Sequence, residues 1–276
     1  MTTPAAAPPQ IFDVRRRRLH RDRMAVMAAR AGERASDFLA PIMSERLEER
    51  LDDVQRPVKD VLLIGAQDRA LVARLEARGF ALTLVEHGAL FARAAHARHS
   101  DEDQLIASGI TPASFDLILW NGGLDSVNDV PGALIQCRTL LRPEGVLLGL
   151  CMGAGTLDTL RGVMRGLASE QGVARFHPQI DVRAMGDLLH RCGYQMPMAD
   201  SEPLTVRYRS LDSLVGDLRG SGLTNKLNGA VRPFTRESAA ALRAAFDARA
   251  DDEGRIAEQF NLLYFIGWTP PARASL

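Results

Sequence analysis

The chain has few cysteines and no long apolar stretch. These two features argue against a disulfide-rich, zinc-binding or membrane-spanning protein. Cys137, Cys151 and Cys192 lie far apart without a CxxC pair, so one thiol must stay unpaired. This argues against a disulfide scaffold or a zinc ribbon and favours a reducing, cytoplasmic compartment. The apolar runs are of strand length, far short of the roughly 20 residues that span a bilayer. We expect no membrane span, no metal site and, because the first ten residues lack an apolar segment, no signal peptide.

The chain also lacks an excess of either charge. Lys plus Arg and Asp plus Glu both number 34, so the formal net charge is zero. A dedicated nucleic-acid binder is usually strongly basic, and we therefore expect no nucleic-acid partner. Hydrophobic residues make up 46% of 276 residues, an ordinary globular composition with enough apolar side chains for a sizeable core.

The sequence predicts three regions along the chain. Residues 1–10 are rich in Ala and Pro and are predicted to be a disordered tail, and 11–56 are predicted to form an N-terminal helical arm. A folded domain is predicted at 57–271. An insertion in this domain, around 172–255, is expected to cover the ligand site and shape the substrate surface. The arm carries a basic cluster at 15–23, for which we favour a solvated helix face over an arm that closes on an anionic ligand or partner.

Strands alternate with helices after residue 59. Short apolar runs predict strands, helical spacing predicts the segments between them, and one such helix is expected at 88–99. This alternation is typical of an α/β domain with a mostly parallel sheet and helices on both faces. Strands are expected at 60–65, 81–86, 115–121, 146–152, 204–208 and 260–268.

The turn after the first strand favours a nucleoside site. Gly65 and Ala66 follow that strand, and Glu86 ends the next strand 21 residues after Gly65. Glycines at such a turn let the backbone approach a nucleotide, and a strand-end acid at this spacing suits a ribose diol. A solvated strand-end acid is the alternative for Glu86 alone. No GxGxxG is present, which makes a nicotinamide dehydrogenase a weak interpretation.

Other polar residues are expected at the same edge of the sheet. Asp101 and Glu102 form an acidic segment that either faces an adenine amino group or is a surface loop. Asn121 ends the strand at 115–121, at the carboxyl edge where open α/β sheets bind ligands, and Asp125 lies in the following loop. No catalytic residue is identified, because no nucleophile has an adjacent base.

The chain resembles the class I methyltransferases that bind S-adenosylmethionine (SAM). It is similar to the branch that contains the mitochondrial complex I assembly factor of methyltransferase fold and its alphaproteobacterial relatives, and more distantly to the malonyl-carrier-protein methyltransferase of biotin synthesis. The segments that carry the resemblance are IFD at 11–13, SFDLI at 114–118, VNDVPGAL at 127–134, LRPEG at 141–145, GTL at 155–157, DVRAMGDLL at 181–189, LTVRY at 204–208, DLR at 217–219, Asn225 and YFIGW at 264–268.

The resemblance implies a Rossmann-like seven-stranded sheet with the last strand antiparallel and SAM above the carboxyl ends of the first strands. Gly65 would face the methionine portion, Glu86 the ribose, Asp101 the adenine, and Asn121 the fourth-strand side of the pocket. The mitochondrial relative is associated with hydroxylating an arginine of a complex I subunit, so the resemblance leaves the reaction open.

This sequence departs from the family in the cofactor region. The family has an acid at the position of Leu63 and glycines at those of Gln67 and Arg69, and the family's His-Trp pair is Asp125-Ser126 here. These departures indicate altered cofactor binding or a pseudo-enzyme.

The resemblance leads to two functional interpretations. We expect a SAM-dependent methyltransferase-like protein of the complex I assembly type that modifies a protein or carrier-protein substrate. The alternative is a degenerate assembly protein that binds a partner without SAM chemistry. Arg207 and Tyr208, at the end of a predicted strand, are candidates for partner recognition or for a purely structural pair. The oligomeric state is left open.

Overall fold

The computed structural model describes residues 9–31, 38–167, 175–230 and 233–272. Within these ranges the strands are β1 Asp60–Ile64, β2 Ala81–Glu86, β3 Arg98–His99, β4 Phe115–Asn121, β5 Leu141–Met152, β6 Gln195–Tyr208 and β7 Ile256–Trp268. The helices are α1 Val14–Ala31, α2 Leu39–Asp52, α3 Arg69–Ala77, α4 Ala89–Ala94, α5 Val130–Leu140, α6 Asp158–Leu167, α7 Val182–Arg191, α8 Leu211–Gly220 and α9 Arg236–Asp247.

The described strands form one seven-stranded sheet in the order β3-β2-β1-β4-β5-β7-β6. β1 to β5 run parallel, and β7 lies antiparallel between β5 and β6. The seven-stranded α/β sheet with an antiparallel last strand is thereby confirmed. Because β1, β2 and β4 are parallel neighbours, their carboxyl ends meet at one edge of the sheet.

Alternating side chains divide the interior into two cores, one on each face of the sheet. Leu63 and Leu119 pack into the core that α2, α3, α6, α8 and α9 cover, whereas Leu62 and Ile118 pack into the core under α5 and α7. Both faces of β1 and β4 are therefore buried, which explains their continuous apolar runs. The predicted helices on both faces are confirmed.

Four elements differ from the sequence prediction. β5 begins at Leu141 rather than at 146, and β7 begins at Ile256 rather than at 260. The helix expected at 88–99 ends at Ala94, and the two-residue strand β3 follows beside the end of β2. The chain turns between them at His96, which has a φ of +52°. The strand expected at 204–208 is the last part of the 14-residue β6. β6 forms the outer edge of the sheet, so alternate side chains are exposed and no apolar run marks its first half.

The N-terminal region is divided between two roles. Leu39, Met43 and Leu47 of α2 belong to the larger core, whereas α1 packs mainly against α4 and α8. The predicted domain boundaries stay predictions, and most of the predicted tail lies outside the described residues. No helix in the described ranges is both long enough and apolar enough to cross a membrane.

Candidate functional site

Gly65 makes the turn after β1 at the carboxyl edge of the sheet. Its φ is +89°, and a Cβ atom there would lie 2.5 Å from the backbone oxygen of Asn121. Only glycine fits this combination of positive φ and close approach. The side-chain amide of Gln67 donates to the same Asn121 oxygen at 3.0 Å. Gln67 therefore closes the turn with its own side chain at a position where the resemblance implies a glycine.

Glu86, at the end of β2, is buried and paired. Its carboxylate accepts hydrogen bonds from Nε and Nη2 of Arg21 at 2.9 and 2.8 Å, and from the backbone N–H of Gly88 at 3.0 Å. Burial raises the pKa of Glu86, but the charge and hydrogen bonds of Arg21 outweigh burial and hold this pKa below its usual value. The alternative of a solvated strand-end acid is excluded by the 1% exposure of Glu86.

The acidic segment after β3 is paired with the same helix. Glu102 accepts from Arg17 at 3.0 Å and contacts His87 Nδ1 at 2.8 Å. Asp101 accepts from both Nε and Nη2 of Arg18. Burial opposes the ionisation of Glu102, yet Arg17 and His87 hold its pKa far below the usual range. Asp101 and Glu102 are thus buried ion-pair partners, not members of a surface loop.

Arg17, Arg18 and Arg21 project from α1 toward the three carboxylates, and we call α1 with these residues the arginine arm. Arg17 is 3% exposed. The favoured interpretation of the basic cluster as a solvated helix face is therefore wrong for the arm, although it holds for the exposed Arg15. The anions that the arm meets belong to the chain itself. Sequence reasoning missed these pairs because they join residues 65 to 85 positions apart.

Hydrogen bonds fix the two residues that precede the arginine arm, Phe12 and Asp13. Asn128 accepts from the Phe12 N–H at 2.8 Å and donates to the Phe12 oxygen at 3.0 Å. The Asp13 N–H donates to the backbone oxygen of Lys226 at 2.9 Å. The Phe12 ring packs edge-on to His177 at 5.2 Å between centroids. Asn128 belongs to a motif that carried the family resemblance, and here it holds the start of the arm in place.

A small cavity of about 40 Å³ lies beneath the arm. Three cationic side chains line it, from Arg17, Arg21 and Lys226. Ser126 Oγ accepts from Arg17 Nε at 3.3 Å and from Lys226 Nζ at 3.4 Å. Burial lowers the pKa of Lys226 to about 8, with the charge of Asp125 opposing the shift and the arginines reinforcing it. We call this space the first cavity.

A second cavity of about 200 Å³ adjoins the first, and both are lined by Asp125, Met152 and Leu223. Its wall is mainly apolar, with Arg161 and Arg175 at the side. The Arg161 guanidinium lies 4.8 Å from the ring centre of Phe176, and its Nη1 donates to the backbone oxygen of His177 at 3.4 Å. The junction of the two cavities follows the ends of β4 and β5.

The remaining predicted site residues line neither of the two cavities. Asn121 is buried, and its amide donates to Ser44 Oγ of α2 at 3.1 Å. Arg207 pairs with Asp251 and Glu253 on the surface. Tyr208 is buried in the larger core. The role of Arg207 and Tyr208 in partner recognition stays a prediction.

The described residues hold no group of His, Cys, Asp and Glu side chains that could bind a metal ion. Cys137, Cys151 and Cys192 are all buried and free. Burial raises the pKa of each thiol, so all three are protonated and unreactive at neutral pH.

The arrangement of the first cavity does not fit SAM. About 40 Å³ holds about three water molecules, and a nucleoside is many times larger. The carboxylate expected at the ribose is occupied by Arg21. SAM also carries a sulfonium, which the lining cations of Arg17, Arg21 and Lys226 would repel. The backbone at Gly65 fits a nucleoside site, but the side chains above it do not.

The strand order, the antiparallel β7 and the edge formed by β1, β2 and β4 define a class I methyltransferase fold. Solved structures agree: the YcgJ protein from Bacillus subtilis matches with a TM-score of 0.57 at 12% identity, over 82% of this chain and 98% of that one. A protein from Bacillus halodurans assigned as a methyltransferase also matches with a TM-score of 0.57, at 11% identity over 81% of this chain and 98% of that one. No protein-family model matches the chain.

Two groups of homologues refine this class. The chain is 32% identical over 162 residues to the Danio rerio protein named arginine-hydroxylase NDUFAF5, mitochondrial, which covers 57% of this chain and 50% of that protein. It is 31% identical over 186 residues to malonyl-[acyl-carrier protein] O-methyltransferase of Laribacter hongkongensis, over 67% of this chain and 60% of that protein. The chain thus spans about half the length of its curated relatives, and the family resemblance seen in the sequence is confirmed.

Proposed function

We propose that the chain is a methyltransferase-like protein of the complex I assembly type that acts on a protein or carrier-protein substrate. The second cavity carries this proposal. It lies at the carboxyl ends of β4 and β5, next to the cofactor edge of the fold, and Asp125 lines the junction. A substrate group in this cavity would meet the place that the fold reserves for a cofactor. The name of the malonyl-[acyl-carrier protein] O-methyltransferase supports a carrier-protein substrate, and the name of the arginine-hydroxylase supports arginine as the group that is modified.

SAM is the cofactor that we propose for the edge formed by Gly65, Ala66, Glu86, Asp101 and Glu102. The support is the fold, the positive φ of Gly65 and the carboxylates that follow β2 and β3. This proposal requires a conformation in which the arginine arm has left the carboxylates. When bound, SAM supplies an electrophilic methyl group, and the homologues' names leave open whether this chain transfers it.

A second function is favoured by the pair between Arg21 and Glu86. Arg21 holds Glu86, the carboxylate expected to bind the ribose, in a buried and bidentate ion pair. A non-catalytic assembly protein would retain this pair because it does not need Glu86 for SAM. In that case the fold serves to bind a partner, and the cofactor edge serves to fix the arm.

Calorimetric titration of the purified protein with SAM separates the two functions. Saturable binding in the micromolar range supports the first, and no heat up to millimolar SAM, from the parent and also from Arg21→Ala, which releases Glu86, supports the second. Transfer of radiolabelled methyl groups from SAM to candidate protein and carrier-protein substrates then tests the second cavity. Met164→Trp, which fills this cavity, should abolish labelling, whereas Arg165→Trp on the exposed side of the same helix should leave it unchanged. Equal labelling by both variants would rule out the cavity as the substrate site.

A further inference from the structure

The arginine arm pairs with each carboxylate that the fold offers to a nucleoside. Arg21 holds Glu86, Arg17 holds Glu102 and Arg18 holds Asp101. The Glu86 side chain is fully buried in this position of the arm. Because the arginines are spaced i, i+1 and i+4, one short stretch of helix reaches all three acids. An arm that met the acids by chance would not satisfy each of them.

The arm is also tied down outside the cavity. Phe12 is clamped by Asn128 through two hydrogen bonds, and Thr224 Oγ1 accepts from Arg23 at 2.6 Å. Asp22 accepts from the backbone N–H of Leu90 in the first turn of α4 at 2.9 Å. These contacts fix the start, middle and side of the arm independently of the acids, so its position is a property of the fold.

The closed position depends on one missing side chain. A Cβ atom on Gly88 would lie 2.4 Å from Cγ and 3.0 Å from Cβ of Arg21. These atoms are the stem of Arg21, close to the helix backbone, so a flexible tip cannot simply turn away. The backbone of Gly88 has a φ of −87° and a ψ of 120°, which alanine adopts without strain.

We propose that the arginine arm is an autoinhibitory element, which occupies the nucleoside part of the cofactor site and must leave before SAM binds. The inference rests on the proposed function, because it takes SAM as the competing ligand. In the closed state the arm guanidiniums neutralise the three acids. In the open state the ribose hydroxyls and the adenine amino group donate to the same carboxylates.

Competition of this kind has a measurable consequence for affinity. When only a fraction of molecules is open, the apparent dissociation constant of SAM rises by the inverse of that fraction. Any substitution that weakens the closed state therefore tightens SAM binding. By the same linkage, SAM must shift the arm toward the open state.

Three variants test the proposal by calorimetric titration with SAM. Arg21→Ala removes the pair with Glu86, and Gly88→Ala displaces Arg21 while every charge is kept. We expect each variant to bind SAM at least tenfold more tightly than the parent. Arg15→Ala is the matched control, since it removes an exposed arginine of the same helix, and it should bind like the parent. Melting temperatures verify that each variant is folded.

Hydrogen exchange of the α1 amides gives a second readout that does not require catalysis. Exchange should be faster in Gly88→Ala than in the parent, and SAM should accelerate it further in the parent. Equal SAM affinity in all variants, with the arm displaced in Gly88→Ala, would overturn the inference and leave the proposed function standing. No SAM binding by any variant, with the arm displaced, would overturn SAM as the cofactor and the inference with it. A parent that binds SAM tightly with α1 still protected would also overturn the inference.

Discussion

Replacing Glu86 with glutamine tests the buried pair that closes the site. The Glu86→Gln side chain keeps its size, but it loses the charge that offsets Arg21, whose side chain is 13% exposed. Breaking a buried ion pair from one side costs about 3–5 kcal/mol, because the remaining charge is left uncompensated. Glutamine retains one acceptor oxygen for either Gly88 or Arg21, so we expect a loss near the lower end, about 3 kcal/mol.

Thermal and urea unfolding measure this loss. For a domain of this size, about 3 kcal/mol lowers the melting temperature by roughly 6–12 °C. Combining Glu86→Gln with Arg21→Gln closes a double-mutant cycle, and the pair should be less destabilised than the sum of the single variants. Asp212→Asn is the control, because Asp212 pairs with Arg243 on the exposed surface, and surface pairs contribute little.

Burial distinguishes the Glu86 carboxylate from the exposed Asp212 carboxylate. A melting temperature of Glu86→Gln within about 2 °C of the parent would mean that Glu86 is solvated and that the arm does not hold it. An Asp212→Asn protein that loses as much stability as Glu86→Gln would remove the argument from burial. Additive effects in the cycle would show that Arg21 and Glu86 do not interact.

Three further predictions follow from the structure. Gly65→Ala should lower the melting temperature more than Gly79→Ala. Both glycines have a positive φ, but of the two only Gly65 has backbone atoms within 4 Å of the position of a Cβ atom. Equal losses would show that the close approach to the Asn121 backbone does not matter. Lys226→Met should stabilise the protein at pH 7 by about 2–4 kcal/mol, since burial lowers the Lys226 pKa from 10.5 to about 8. The gain should shrink as the pH rises above about 8 and vanish well above pH 10.5, where the unfolded lysine is also neutral; a gain that does not change with pH would refute the charge argument. Burial lowers the pKa of His177 from 6.5 to about 3. Between these two pH values the unfolded state binds more protons, so the free energy of unfolding should fall by about 1.4 kcal/mol per pH unit. A His177→Gln protein with the same acid unfolding curve as the parent would contradict this.

The sequence predicts the centre of the sheet better than its edges. β1 and β4 are buried on both faces, so each is a continuous apolar run that the sequence reveals. β3 has only two residues, both exposed, and lies against the end of β2. Its pairing is a tertiary contact that leaves no pattern in the chain, and the helical composition before it runs on without a break.

The same limit applies to the site. The spacing between Gly65 and Glu86 predicts a strand, a turn and a second strand, and the structure has these elements in place. The sequence does not reveal the partner of Glu86. A cluster of arginines has the same sequence pattern whether its side chains are solvated or paired with buried carboxylates. Leu63 is a further example: its substitution for an acid suggests a damaged site, yet the side chain is fully buried in the larger core.

The contacts of the arginine arm determine when, during synthesis of the chain, the closed cavity can form. Lys226, which holds the start of the arm through its backbone oxygen, is made about 200 residues after Arg17. At about 5–20 residues per second, this delay is roughly 10–40 s. For the later part of this delay, Glu86 and Glu102 are already synthesised but lack the fully anchored helix over them. The closed cavity is therefore completed only after Lys226 has been made, although the arm that closes it is translated about 200 residues earlier.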